Sequence, residues 1–410
     1  MVSNNTAAQT ANQEGATLNL EKWRQLPTIL IAMGALLGLA CLFKDSRHFA
    51  FSYLLAFMFF LSLCLGAMFL TLVHHLFDAH WTVPFRRVAE HVAFLLPVMF
   101  VLFLPIAVMA PKIYAWMDVP PSQDHTLLAK QPLFTKHWFY LVAVMLFGVW
   151  SFLSYKLRYW SLKQDQAGAA ECTRHMRRYA AWGIYAFGIT LTLGAIMWMK
   201  SIEWQWFSTM YGVYYFAASV WTFLATLYVI GLVLRAAGPL APVLRHHHFK
   251  DLGTLLFAFT VFYAYIHFSQ YFLIWNAAIP EETFWYVKRE AGSWWQIGMV
   301  LIFGHFAIPF LALLRIDAKM SLPLMIPLCA WAWIMHYCDM SFNIMPVISP
   351  GGFNPSLYDV GCFAFIGGIL ATVFLKYFRQ HAPYPVKDPR LGESLGLPQI
   401  GSEFKTAKAK

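Results

Sequence analysis

Apolar runs of about 20 residues, the length that carries a helix across a hydrocarbon core, recur along this chain from Pro27 to Phe378. No other feature narrows the fold as far. Composition agrees: 59% of the 410 residues are hydrophobic and 12% are charged, against roughly a quarter charged in a soluble globular protein. The runs are continuous rather than alternating, so a membrane β-barrel does not fit. The pattern predicts an all-α polytopic membrane protein of about ten transmembrane helices, at 27–43, 50–77, 89–110, 138–160, 179–199, 209–235, 252–275, 294–315, 320–343 and 358–378. Pro323 and Pro327 interrupt the start of the ninth. On either side of this 25–378 membrane domain stand polar tails. Residues 1–24 lack the basic-then-apolar layout of a cleaved signal peptide. Residues 379–410 contain Pro, Gly and Lys and are expected to be loosely ordered.

Basic residues set the orientation. With ten spans, both termini and the even-numbered loops share one side, and that side holds 22 of the 30 Lys and Arg residues. By the positive-inside rule both termini are cytoplasmic. The net charge of +10 is then largely the cytoplasmic rim of a membrane protein and needs no nucleic-acid partner. The longest outer loop, 111–137, has paired prolines and is either held by a neighbour or loose.

A faint repeat relates the third and seventh spans. "RRVAEHVAFLLPVMFVLFLPIAV" and "HHHFKDLGTLLFAFTVFYAYIHF" each carry basic or His residues, then an acid (Glu90, Asp251), then an apolar helix expected to be unbroken. Four spans apart, they face the same way. This fits two parallel four-helix bundles, spans 2–5 and 6–9, with spans 1 and 10 peripheral.

Ionisable side chains at membrane depth are costly and are functional candidates by default. On span 7, Tyr263, His267, Gln270 and Tyr271 share one helical face in the outer half of the bilayer. On span 9, His336, Asp339 and Asn343 do the same at a similar depth. A buried Asp beside a His can exchange protons near neutral pH. Such stripes also glue helices together, and both readings stay open. His305, beside Gly304 and Pro309 in span 8, suits a packing histidine that bonds a carbonyl freed by the proline. It is otherwise a stepping stone between the membrane halves. At the cytoplasmic edge, His74, His75, Asp78, Arg86, Arg87, Glu90 and His91 crowd one short turn. They read as headgroup anchors and salt bridges, or as a proton-uptake point. Glu203, Glu281 and Glu282 add acids among outer-surface aromatics. The candidates for proton transfer are therefore His267, His336, Asp339, His305, Glu203, Glu90 and His91. No catalytic residue and no metal site is read from the sequence. The six cysteines form no CxxC, CxxCH or ferredoxin pattern, and no span carries the paired His of a membrane cytochrome b. The chain is therefore expected to bind no metal cofactor of its own.

The ordered segments "HHLFDAHWTVPFRRVAEH" (74–91), "EWQWFSTMYGVYYFAASV" (203–220), "HHFKDLGTLLFAFTVFYAYIHFSQYFLIWNAAIPEETFWY" (247–286) and "GSWWQIGMVLIFGHFAIPFLALL" (292–314) resemble the ActF membrane-subunit family of bacterial alternative complex III. These complexes are quinol:cytochrome c, or quinol:electron-acceptor, oxidoreductases, and the resemblance covers nearly the whole chain. It implies an NrfD-like fold in the bacterial cytoplasmic membrane. It implies as partners a larger NrfD-like membrane subunit, an iron–sulfur subunit and c-type cytochrome subunits, which carry the iron–sulfur clusters and haem c. It also implies a role in binding menaquinol or ubiquinol, in proton translocation, or in both, and the candidates for contact with the quinone ring are then Tyr263, His267, Gln270, Tyr271 and Trp275. The rival readings are a purely structural anchor of such a complex and a stand-alone secondary transporter.

Overall fold

The computed structural model describes residues 20–168 and 170–397. Most of the polar N-terminal tail, residues 1–19, and the last part of the C-terminal tail, 398–410, lie outside the described residues. Within them the chain is all-helical, with no strand. Nine helical segments are long and apolar enough to cross a membrane.

Helix α1 (Leu26–Lys44) opens with Pro27 in its first turn, where a missing N–H costs nothing. Asp45 then caps α2 (Ser46–Leu76), its carboxylate accepting from the N–H groups of Arg47 and His48 at 3.0 Å each. The third span is two helices rather than the unbroken one expected: α3 (Val83–Ala93) and α4 (Leu96–Ile113) meet at Phe94–Leu95. Pro97 cannot donate to the carbonyl of Ala93, and the helix restarts there. Next come α5 (Lys136–Ala167), ended by Gly168 at φ 64°, α6 (Ala170–Trp198), α7 (Tyr211–Ala236) and α8 (His246–Ala277). A short amphipathic helix, α9 (Pro280–Arg289), lies beyond α8.

The eighth span is α10 (Trp294–Val300), a π-helical stretch over Leu301–Ala307, and α11 (Ile308–Leu313). Pro309 lacks the N–H that would reach back to Gly304 in the widened register. Trp331 satisfies that carbonyl instead, its Nε1 donating at 2.8 Å. The last long helices are α12 (Leu322–Ile344) and α13 (Leu357–Gln380). With 23 residues, α12 is long enough to cross but is not among the nine apolar segments, because prolines, His336, Asp339 and Asn343 dilute it.

Helix α2 is the centre of the molecule and is buried almost from end to end. It packs on α3, α4 and α6, and α5 closes that group by contacting α4 and α6. On its other side α2 meets α7, and α7, α8, the α10–α11 span and α12 pack in turn on one another. A Cβ at Gly66 would overlap Phe223 Cβ at 2.6 Å, so glycine permits the close α2–α7 crossing. Helices α1 and α13 pair with each other, and α13 also packs on α2. A Cβ at Gly34 would meet the carbonyl of Gly361 at 2.8 Å, and one at Gly368 the carbonyl of Pro27 at 2.9 Å. Large apolar side chains such as Leu36, Val108, Ile189 and Phe268 point outward, as a lipid-facing surface requires.

Two loops are better ordered than composition alone indicates. The 111–137 loop buries Trp116, Leu127 and Phe134, and Asp124 accepts from Trp204 Nε1 at 2.8 Å. Residues 381–397 are not loose either. Asp388 and Ser394 are buried beneath α3, where Asp388 pairs with Arg86 and Arg390.

Candidate functional site

Tyr263 and His267, one turn apart on α8, point toward α7 and α12. The Tyr263 hydroxyl is 3.3 Å from His267 Nδ1 and 3.3 Å from the Tyr214 hydroxyl of α7. Tyr214 in turn donates a short hydrogen bond to Asp339 Oδ1 on α12. Asn343, one turn beyond Asp339, fixes this junction. Its Nδ2 donates to Tyr214 Oη at 3.0 Å and to the Asp339 carbonyl at 2.8 Å, while its Oδ1 accepts from Tyr211 at 3.0 Å. The result is a continuous series, His267–Tyr263–Tyr214–Asp339, across three helices. Asp339 is fully buried, and its Oδ2 has no partner among the described residues. An ionised carboxylate there gains one strong hydrogen bond and leaves half its acceptor capacity unused.

His267 also lines a mostly apolar cavity of about 700 Å³ between α8 and the α10–α11 span. Tyr263, His267 and Tyr271 form one wall, and Met299, Ile302 and Phe306 face them. Because Nδ1 is engaged with Tyr263, Nε2 is the nitrogen without a hydrogen bond among the described residues. Tyr286, Arg289 and Glu290 also line it, and mostly apolar walls with a few polar groups are the ordinary form of a small-molecule site. Among the described residues no three His, Cys, Asp or Glu side chains converge as metal ligands.

The other sequence candidates fall in different places. His336 turns away from His267, its Nε2 lying 2.8 Å from Ser62 Oγ of α2 and its ring against Phe59. The span 7 and span 9 stripes are therefore joined from His267 and Tyr263 through Tyr214 to Asp339 and Asn343, without Gln270 or His336. Gln270 is held by Ser208 at 2.8 Å and Tyr286 at 3.2 Å, and neither it nor Trp275 lines the cavity. His305 is sandwiched between Trp221 and Tyr263, with centroids 3.9 and 3.7 Å away, and both its nitrogens lack partners. It does not bond the carbonyl freed by Pro309, because Trp331 does.

Glu203 is an ion-pair partner, 2.8 Å from Arg289 Nη2 and 3.1 Å from Lys288 Nζ. Arg289 also donates to the carbonyls of Phe342 at 2.8 Å, Trp285 at 2.9 Å and Asn343 at 3.1 Å, so it ties the end of α12 to α9.

Glu90 and His91 lie at the opposite end of the helices. The cluster read as an interfacial anchor is buried: Arg86, Arg87, Glu90 and His91 are each at most 2% exposed. Glu90 accepts from Arg86 at 3.0 Å, Arg87 at 3.3 Å and Ser161 at 2.7 Å. The cluster's distant partners are Ser161 and Asp165 of α5 and Asp388 beyond α13, which the local sequence cannot show.

The site members missing from the sequence reading are Tyr214, Tyr211 and Arg289. In "YGVYYFAASV" the tyrosines look like ordinary membrane aromatics. Their i, i+3 spacing with a shared face was the available signal.

Fold and site together define a polytopic, all-helical membrane protein with a lined cavity against its seventh expected span. Comparison with protein-family models and with curated proteins found no match to the chain.

Proposed function

We propose that this chain is a membrane subunit of a quinol:cytochrome c oxidoreductase of the alternative complex III type. It holds quinol in the cavity between α8 and α10–α11 and passes the released protons along His267, Tyr263, Tyr214 and Asp339 towards the outer face. The observation that carries the reading is His267 itself, which lines the cavity and whose Nδ1 is bonded into a series that ends on a buried carboxylate. In this reading α12 completes ten spans, with both termini cytoplasmic. The two groups that meet at α2 and α7 are the paired four-helix bundles of an NrfD-like fold, and α1 and α13 are peripheral.

Oxidation of a quinol releases two electrons and two protons. His267 Nε2 accepts a proton from the quinol hydroxyl, and Nδ1–H then donates to Tyr263, so that one proton enters as another leaves. Tyr214 delivers it to Asp339. The electrons go to haem c and iron–sulfur clusters held by partner subunits. Apolar and aromatic walls suit the ring and the start of the isoprenoid tail, and the lipid-facing side of α8 offers the route in.

Mild purification from the native membrane tests the reading. Recovery with haem-c and iron–sulfur subunits, and labelling of residues 261–306 by a photoreactive quinone, is the expected result. Recovery as a lone carrier, or labelling confined to a partner subunit, contradicts it.

A further inference from the structure

At the basic-rich end of the molecule, Arg158 of α5 is more than nine-tenths buried, with 9% exposed. Its guanidinium lies between the rings of Phe94 and Tyr377, 4.3 and 4.8 Å from their centroids. Nε and Nη2 have no hydrogen-bond partner among the described residues. The surrounding carboxylates are taken by other cations: Glu90 by Arg86 and Arg87, Asp165 by Arg87, and Asp388 by Arg86 and Arg390. More unpartnered nitrogens lie close by. Both ring nitrogens of the fully buried His91 and the Nε of Arg87 have no partner among the described residues. His381 stacks on His91 with centroids 6.0 Å apart. Burial, followed by the nearby charges of Arg158 and Arg87, pushes the pKa of His381 below its ordinary value.

The two free nitrogens of Arg158 are not an arbitrary pair. Nε–H and Nη2–H lie along one edge of the guanidinium and form a two-pronged donor for two oxygens of one anion. In this protein the same edge grips the carboxylates of Asp78 from Arg177, of Asp317 from Arg315 and of Asp388 from Arg390. In Arg158 that edge is buried, fixed by two rings and has no anion supplied by the protein. Such a charge is costly to bury alone.

We propose that Arg158 is the anchor of a binding site for a phosphate-bearing anion, and that the anion is the headgroup of an anionic phospholipid seated against α5 and α13. The level suits a headgroup. Tyr155 and Tyr159 stand exposed beside Arg158 on α5, as interfacial aromatics do. Lys376 and Arg379, which flank Tyr377 in the chain, are exposed and make no ion pair among the described residues. A basic pocket between helices at this level is a recurring form of lipid-headgroup site. The site stands apart from the quinol cavity, at the other end of the helices.

Native mass spectrometry and melting of the full chain in its complex, after delipidation, test the proposal. Phosphatidylglycerol or cardiolipin should be retained and should raise the melting temperature, whereas phosphatidylcholine should not. Arg158→Gln should weaken that retention by about tenfold or more. Arg158→Lys, which keeps the charge and loses the two-pronged edge, should fall between. If millimolar inorganic phosphate gives the full stabilisation and no lipid is retained, the anion site stands and its source is soluble phosphate. Equal retention of the anionic lipids and phosphatidylcholine with no response to phosphate, or retention of phosphatidylglycerol by Arg158→Gln at the wild-type level, overturns it. Should Arg158→Gln fail to accumulate, the wild-type comparison decides alone.

Discussion

The Tyr214 hydroxyl on α7 donates its hydrogen bond to Asp339 on α12, and through Tyr263 it connects that buried carboxylate to the cavity-lining His267. No other group in the series joins α7, α8 and α12 at one point. Tyr214→Phe keeps the ring, its contacts and the helix spacing, but removes the joint. In the assembled complex, quinol-dependent turnover should fall by about a hundredfold if proton transfer runs through Tyr214. Stability should fall by only ~1–3 kcal/mol, the cost of leaving buried partners unsatisfied. Tyr211→Phe, which removes a bond to Asn343 and none in the series, is the matched control and should leave turnover within a few-fold. Steady-state turnover and thermal melting of both variants check this.

Much of this arrangement was legible from spacing, and its limits are physical. Tyr263 and His267 share a face because i, i+4 residues do, and Asp339 and Asn343 likewise. His336 was misdirected by the same rule. A residue three positions from Asp339 lies about 60° around a helix of 3.6 residues per turn. Where α12 touches both α7 and α2, that angle is enough to send His336 to Ser62. Tyr214 was hidden because hydropathy does not separate a tyrosine at an interface from one in a polar series. The buried cluster around Glu90 needed Asp388, about 300 residues further along, and no local pattern reveals such a partner. Composition marked residues 381–397 as loose, yet Asp388 facing two arginines, Ser394 against His248 and Arg390 against Asp78 hold the segment down.

The Glu203–Arg289 pair clamps the end of α12 that lies opposite the Glu90 cluster. Both partners are buried, so removing one strands the other. Glu203→Gln should destabilise the protein by about 3–5 kcal/mol, seen as a clear drop in melting temperature. Glu203→Gln combined with Arg289→Met should recover part of that loss, because two neutral groups carry no stranded charge. A single variant that melts like wild type would show that the pair is solvated and not a clamp.

Asp388 provides a pH dependence with a definite sign. Burial opposes its ionised form, but Arg86 and Arg390 outweigh burial and hold its carboxyl below the usual carboxylate range. A depressed folded value means that its stabilisation is present above the unfolded pKa of about 3.9 and is lost as pH falls through the folded value. Residues 385–397 should therefore stay protected from protease at pH 5 and be released only below about pH 4. Asp388→Asn should release them already at neutral pH. Limited proteolysis across pH reads both, and release of the wild type near pH 6 would contradict the assignment.

The 22-to-8 division of basic residues gives a topology that reporters can check. Fusions after Lys410 and within the 111–137 loop should report opposite sides, with the C-terminus cytoplasmic. Reporters on the same side would mean that α12 does not cross and that the span count is nine.

Asp339→Asn in the assembled complex is the most direct measurement of the central claim, because it keeps the size and hydrogen-bonding capacity of the side chain and removes only its ability to take a proton. The complex should assemble with its normal subunits. Quinol-dependent turnover should fall at least about tenfold, and both the pH profile and the protons released per quinol should change. Wild-type turnover, pH profile and proton stoichiometry in a complex that carries Asp339→Asn would contradict the account and leave the His267–Asp339 series as structural glue between helices.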